Sequence, residues 1–136
     1  MSYILVADDD EILSEMVRHR LVTVGHEVHT VEDGEQCLEA LQTRTPDAIL
    51  LDAMMPVRSG METLIALKSD PVHARIPVIM MTSRRSQEDV LAALRAGVAD
   101  YMTKPFSPED LALRIEGLLA RNRFVAGDVR MPHSLH

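Results

Sequence analysis

The feature that most limits the fold of this chain is an alternation: short apolar runs of β character, each followed by a longer segment with helical spacing. Tyr3 to Ala7, Glu27 to Val31, Ala48 to Leu51, Val78 to Met81 and Tyr101-Met102 read as strands. Ile12, Leu13, Met16, Val17, Leu21 and Val24 share a helical face that Gly25 can end, and Cys37, Leu38 and Leu41 mark the next helix after Asp33-Gly34. Met61, Leu64, Ile65 and Leu67 follow a capping Ser59 and stop before Asp70-Pro71. Ser86 to Ala96 groups Val90, Leu91 and Leu94 ahead of Gly97; the last helix opens at Ser107-Pro108-Glu109 and carries Leu111, Ile115, Leu118 and Leu119. Five such units predict an α/β fold, a parallel sheet with helices on both faces, because parallel strands need crossovers and these are right-handed. The first, third and fourth strands are apolar on both sides of the pleat, as central strands should be.

At 136 residues the chain is one domain, large enough to bury a core without disulfides. The expected domain is 1–122. Residues 123–136 have no periodicity and contain Gly127 and Pro132, so they read as a flexible tail or the start of a linker. The net charge is -7, with no basic stripe interleaved with aromatics, which argues against direct nucleic-acid binding by this chain. Aromatics are 3%, too few for a ring-stacking cofactor site. No apolar run approaches the roughly 18 to 20 residues that cross a bilayer, so a cytoplasmic location and no membrane contact are expected. The single Cys37 is a packing residue, the nine methionines lie mostly at strand and helix core positions, and His19, His133 and His136 are surface residues rather than phosphotransfer groups.

Polar residues of particular types follow the apolar strands. Strand 1 runs into Asp8-Asp9-Asp10, strand 3 into Asp52, strand 4 into Thr82-Ser83 and strand 5 into Thr103-Lys104-Pro105. All lie at the carboxyl ends of parallel strands, where open α/β sheets place their ligands. Asp10 is read as a helix cap, and singly each of the others fits a turn or a cap as well. Together they make a site. Carboxylates about 4 Å apart repel by on the order of 4 kcal/mol per pair, so a cation is implied. With oxygen ligands only, that cation is Mg2+ or Mn2+ rather than zinc. Lys104 adds positive charge, the Thr82 hydroxyl can bond a phosphoryl oxygen, and Asp52 between them is placed as the nucleophile for an acyl phosphate.

These residues resemble the receiver domain of two-component response regulators, over Tyr3 to about Arg121. ILVADDD, LLDAMMP, VIMMTS and DYMTKPF occur in that order and at the family's spacing. The resemblance implies the flavodoxin-like (CheY-like) three-layer sandwich with sheet order 2-1-3-4-5 and five helices. It implies phosphorylation of Asp52, Mg2+ held by Asp9, Asp52 and the Met54 backbone carbonyl, and a metal-bound water on Asp8. Thr82 and Lys104 would bond phosphoryl oxygens, Tyr101 would be the rotameric switch, and Lys104-Pro105 would be a cis peptide. The implied donors are a sensor histidine kinase or a histidine phosphotransfer protein. The implied readout is the face of helix 4, strand 5 and helix 5, toward an effector protein or a covalently linked effector domain, with a homodimer possible through that face.

Met54, Ser83 and Arg84 occupy positions that tend to set the lifetime of the phosphorylated state. Ser83 replaces the family's usual Ala or Gly. Ala99 before Asp100, and Glu116 at a position that is basic in the winged-helix DNA-binding subfamily, depart from that subfamily's dimer salt bridges, although Arg114 can pair with Asp100. Other readings fit less well. A haloacid-dehalogenase-type phosphatase needs a carboxylate where Met54 stands, so turnover of external substrates is not expected. A flavodoxin-like FMN carrier needs a Ser/Thr/Gly-rich loop where this chain has three Asp. A phosphorylation-silent receiver acting only as a binding module is the remaining alternative, but such proteins usually lose one of the key residues, and all are present here.

Overall fold

The computed structural model describes residues 2–83 and 86–126, with side chains described as far as Arg121. The elements are β1 (Tyr3–Ala7), α1 (Glu11–Thr23), β2 (Glu27–Val31), α2 (Gly34–Thr43), β3 (Ala48–Asp52), α3 (Gly60–Lys68), β4 (Val78–Thr82), α4 (Gln87–Arg95), β5 (Asp100–Thr103) and α5 (Pro108–Ala126). Every strand pairing is parallel and the order is β2-β1-β3-β4-β5. This is the expected flavodoxin-like topology. β3 lies in the middle, with β1 beside it on one side although α1, β2 and α2 separate the two in the chain.

Alternation along the strands sorts the core into two layers. Leu5, Ala7, Ile49, Leu51 and Met80 face α2, α3 and α4, meeting Cys37, Leu41, Leu64, Leu67 and Ala93. Ile4, Val6, Leu50, Ile79 and Met81 face α1 and α5, meeting Val17, Leu21, Leu111, Ile115 and Leu118. β1, β3 and β4 are buried at every residue, which is why they appear as unbroken apolar runs.

The helix starts follow their caps. The Asp10 carboxylate accepts from the Ile12 and Leu13 N–H groups at 3.1 Å each, and Asp33 accepts from Gln36 N–H at 2.8 Å. Ser59 and Glu62 form a reciprocal capping box, and Ser107 accepts from Asp110 N–H at 2.9 Å.

Three helix faces differ from the sequence reading. In α1 the buried line is Ser14, Val17 and Leu21, while Ile12, Met16 and Val24 are exposed. Ile12-Leu13 and Met16-Val17 are adjacent pairs about 100° apart around the axis, so both members cannot meet the sheet. In α4 only Ala93 is buried; Leu91 and Leu94 stand out in solvent because the sheet-facing line passes through Val90 and Ala93. In α3, Ile65 is exposed while Thr63 takes an inward position. α5 also continues to Ala126, past the expected domain end at residue 122. Residues 127–136, including His133 and His136, lie outside the described residues.

Two glycines give opposite expectations. A Cβ on Gly60 would lie 2.3 Å from the Asp52 carbonyl oxygen and 2.7 Å from the Ala53 Cα, so backbone must move to admit it. Gly117 sits exposed inside α5 with open space around it. Gly60→Ala is expected to lower stability by on the order of 1–3 kcal/mol. Gly117→Ala is expected to raise it by about 0.5–1 kcal/mol. Urea titrations of both variants check the pair, and a neutral Gly60→Ala would mean that the junction of β3 and α3 yields freely.

Candidate functional site

Strand parity decides which polar groups meet. Asp8 and Asp52 continue the lines of Val6 and Leu50, and Lys104 continues that of Met102, all on the α1 and α5 side of the sheet. They converge there: the Lys104 Nζ lies 2.9 Å from Asp8 Oδ2 and 3.3 Å from Asp52 Oδ1. Asp8 and Asp52 are 2% and 4% exposed, so this ammonium sits between two buried carboxylates. Asp9, next in the chain, is exposed. One oxygen from each of Asp8, Asp9 and Asp52 lies within 4.8 Å of the others, a set of hard donors that fits a small divalent cation.

The surrounding backbone holds these groups. Asp8 Oδ1 accepts from the Asp10 N–H at 2.9 Å, so both Asp8 oxygens have donors. The buried Ser14 hydroxyl donates to the Asp8 carbonyl at 3.3 Å. The Met54 N–H bonds the Asp52 carboxylate. Lys104 N–H donates to the Thr82 carbonyl at 2.8 Å, tying the lysine loop to β4, and the Lys104-Pro105 peptide is cis.

Electrostatics in the site pull in opposite directions. Burial, and then the Asp8 charge, push Asp52 up to about 6, against the pull of Lys104 and the Met54 N–H. Burial opposes the Lys104 ammonium, yet Asp8 and Asp52 outweigh it and hold Lys104 above the ordinary lysine value. An acid raised in this way beside a fixed cation is a characteristic of reactive sites.

Thr82 has the other parity. Its side chain is fully buried on the α3 and α4 side, where it lines a cavity of about 190 Å³ with Met54, Met61, Met80 and Tyr101. Tyr101 is half-buried, packed on the layer that contains Ala93 and Val98. Thr82 and Tyr101 therefore share a space, while Asp8, Asp52 and Lys104 share another across the same sheet edge. Met54, on the lining of that cavity, is half-exposed, and Ser83 is exposed; Arg84 lies outside the described residues.

Some features escaped the sequence. Ser14 supports the acidic loop, and its only sign was a polar residue on the inward line of α1. Glu11, Glu15 and Glu32 line a hollow of about 450 Å³ beside Asp8, from segments that no spacing rule connects. Glu116, noted only as a departure, pairs with His26 at 2.5 Å, and Arg114 pairs with Asp100 at 3.0 Å within the chain. His19 is exposed on α1. Cys37 is fully buried, as expected of a packing residue.

Known proteins share this fold. Residues 4–116 match the family model of the response regulator receiver domain. The phosphate regulon transcriptional regulatory protein PhoB of Pseudomonas aeruginosa is 38% identical over 118 residues, covering 87% of this chain and 52% of PhoB. The chain spans about half to three-fifths of the length of the curated relatives it matches. Among solved structures, the chemotaxis response regulator CheY4 of Vibrio cholerae superposes with a TM-score of 0.82 at 31% identity, covering 87% of this chain and 98% of CheY4. The receiver domain of the sensor histidine kinase PA1611 from Pseudomonas aeruginosa, solved with a magnesium ion coordinated in its active-site cleft, gives 0.80 at 28% identity, covering 88% and 98%. Family match, shared fold and extent of identity together establish that the chain belongs to the response regulator receiver domain family.

Proposed function

We propose that Asp52 is the phosphoacceptor of this receiver domain. The observation that carries the reading is the Lys104 ammonium fixed between the buried carboxylates of Asp8 and Asp52. A carboxylate oxygen of Asp52 forms the new O–P bond while the P–N bond of a donor phosphohistidine breaks. The donor is a sensor histidine kinase or a histidine phosphotransfer protein. Lys104, released from part of its pairing with Asp52, binds a phosphoryl oxygen, and the Thr82 hydroxyl binds another.

Asp9, Asp52 and the Met54 carbonyl would hold Mg2+ or Mn2+, with Asp8 holding a metal-bound water; the clustered oxygens support this. Such an ion supplies neutralisation of the phosphoryl charge. Thr82 moving toward the phosphoryl group changes the cavity that it shares with Tyr101, and the ring turns inward. The altered face of α4, β5 and α5 then addresses an effector protein or linked effector domain, or a second copy of the chain. The exposed Leu91 and Leu94 on α4 support a contact there. Met54, Ser83 and Arg84 set the lifetime of the acyl phosphate. No external substrate is turned over, and the chain itself does not bind nucleic acid. Among the described residues no helix is long and apolar enough to cross a membrane, which supports work in the cytoplasm beside a kinase.

Intact mass after treatment with acetyl phosphate and Mg2+ tests the acceptor. The wild type is expected to gain one phosphoryl group and Asp52→Asn none; equal gains would remove Asp52 from the role.

The charge on Asp52 also sets a pH dependence in metal-free buffer. Its folded pKa of about 6 lies above the ordinary carboxyl value, so its contribution to stability is complete below about pH 4 and is lost as pH rises through about 6. Asp52→Asn removes that loss. The variant is expected to be more stable than the wild type at pH 7.5 by on the order of 2–3 kcal/mol, with the difference closing toward pH 4. Urea unfolding in EDTA across that range measures it, and a pH-independent difference would contradict the burial argument.

A further inference from the structure

We propose that Val57 is a positioning residue for the acceptor site. By locking the tight turn between β3 and α3 in a single conformation, it fixes Met54, the loop residue that faces Asp52. The inference rests on the reading of Asp52 and its metal given above.

Val57 has a backbone φ of 68°, the one non-glycine positive φ among the described residues. The Arg58 N–H bonds the Pro56 carbonyl at 2.7 Å, so Val57 is the centre of a γ-turn of the rare left-handed kind. A β-branched residue is a poor occupant of that region. Burial does not compensate: Val57 is 78% exposed. Strained backbone of this sort persists only where its surroundings over-determine it, and it concentrates at functional sites.

The surroundings are specific. Gly60 N–H donates to the Ala53 carbonyl at 3.0 Å, closing residues 54–59 into a loop, and Gly60 packs against the Asp52 carbonyl. The Ser59 and Glu62 capping box anchors one end, and Arg58 Nε donates to Glu35 at 3.0 Å. Inside this loop, the Met54 N–H bonds the Asp52 carboxylate. The Met54 carbonyl is the one proposed to bind metal. A glycine at 57 would adopt the turn without strain but would sample many other conformations. A valine, once forced there, has a narrow well and a stiff χ1. Strain is thereby exchanged for a fixed Met54.

The test separates stability from site geometry. Mg2+ binding is measured by isothermal titration calorimetry on the full chain for wild type, Val57→Asn and Val57→Gly. Melting in metal-free buffer and phosphorylation by acetyl phosphate are followed alongside. Both variants are expected to melt at or above the wild type, by up to roughly 2–4 °C. Val57→Gly is nevertheless expected to bind Mg2+ roughly threefold to tenfold more weakly, with Val57→Asn between. Wild-type affinity in Val57→Gly would overturn the proposal. So would a loss of affinity in step with a lower melting point. A wild type that neither binds Mg2+ nor takes up phosphoryl would instead sink the reading of Asp52 itself, and this inference with it.

Discussion

The arrangement depends on one cation: the half-buried Lys104 ammonium between the buried carboxylates of Asp8 and Asp52. Removing that ammonium leaves two buried carboxylates facing each other without compensation, at a cost of about 3–5 kcal/mol. Reach is what makes lysine suitable. β5 lies two strands from β3, about 10 Å at ordinary strand spacing, and the long lysine stem projecting from the loop after β5 crosses most of that distance. The sheet order is therefore part of the chemistry. β1 and β3 must be neighbours for Asp8 and Asp52 to face each other, and β4 must lie between them and the lysine. Right-handed crossovers through helices on both faces make that order reachable by a short chain.

Parity along the strands then divides the labour. The charged groups emerge on the α1 and α5 side, while Thr82 emerges on the α3 and α4 side, in the same cavity as Tyr101. On the reading proposed above, a group bound to Asp52 would be felt by Lys104 through charge and by Thr82 through its hydroxyl, and the Thr82 side has a cavity lined by the Tyr101 ring. Movement driven there would reach α4 and β5. α4 suits that position. It touches the core mainly through Ala93 and leaves Leu91 and Leu94 outside, so little apolar burial resists a shift of the helix.

The elements and the acidic edge were legible because each has a local signal. Apolar runs of about five residues between caps give strands, and a carboxylate or lysine at the end of such a run violates the pattern that burial alone would produce. What stayed hidden depends on relations between distant segments. Ile12 and Met16 in α1 and Leu91 and Leu94 in α4 satisfy helical spacing, but which arc meets the sheet is fixed by the tertiary contact, and small residues such as Ser14 and Ala93 won the inward places. Val57 carries no sign of its left-handed backbone, since valine is among the last residues that propensity would place there. The His26 pairing with Glu116 joins positions 90 apart, and only the fold brings them together.

Charge balance ties the separate groups into one site. Both Asp8 oxygens already have donors, from Lys104 and the Asp10 N–H, and Asp52 likewise accepts from Lys104 and the Met54 N–H. Asp9 is the carboxylate of the three that is open to solvent. Three carboxylates against one ammonium leave the cluster negative when all are ionised. A phosphoryl group arriving on Asp52 brings more negative charge than that side chain carried before. Lys104 alone cannot offset both, since its own field is shared with Asp8. On the reading proposed here, this imbalance makes metal binding and phosphoryl acceptance interdependent: the same excess of carboxylate that attracts a divalent cation would, without one, repel the dianion that the site is built to receive.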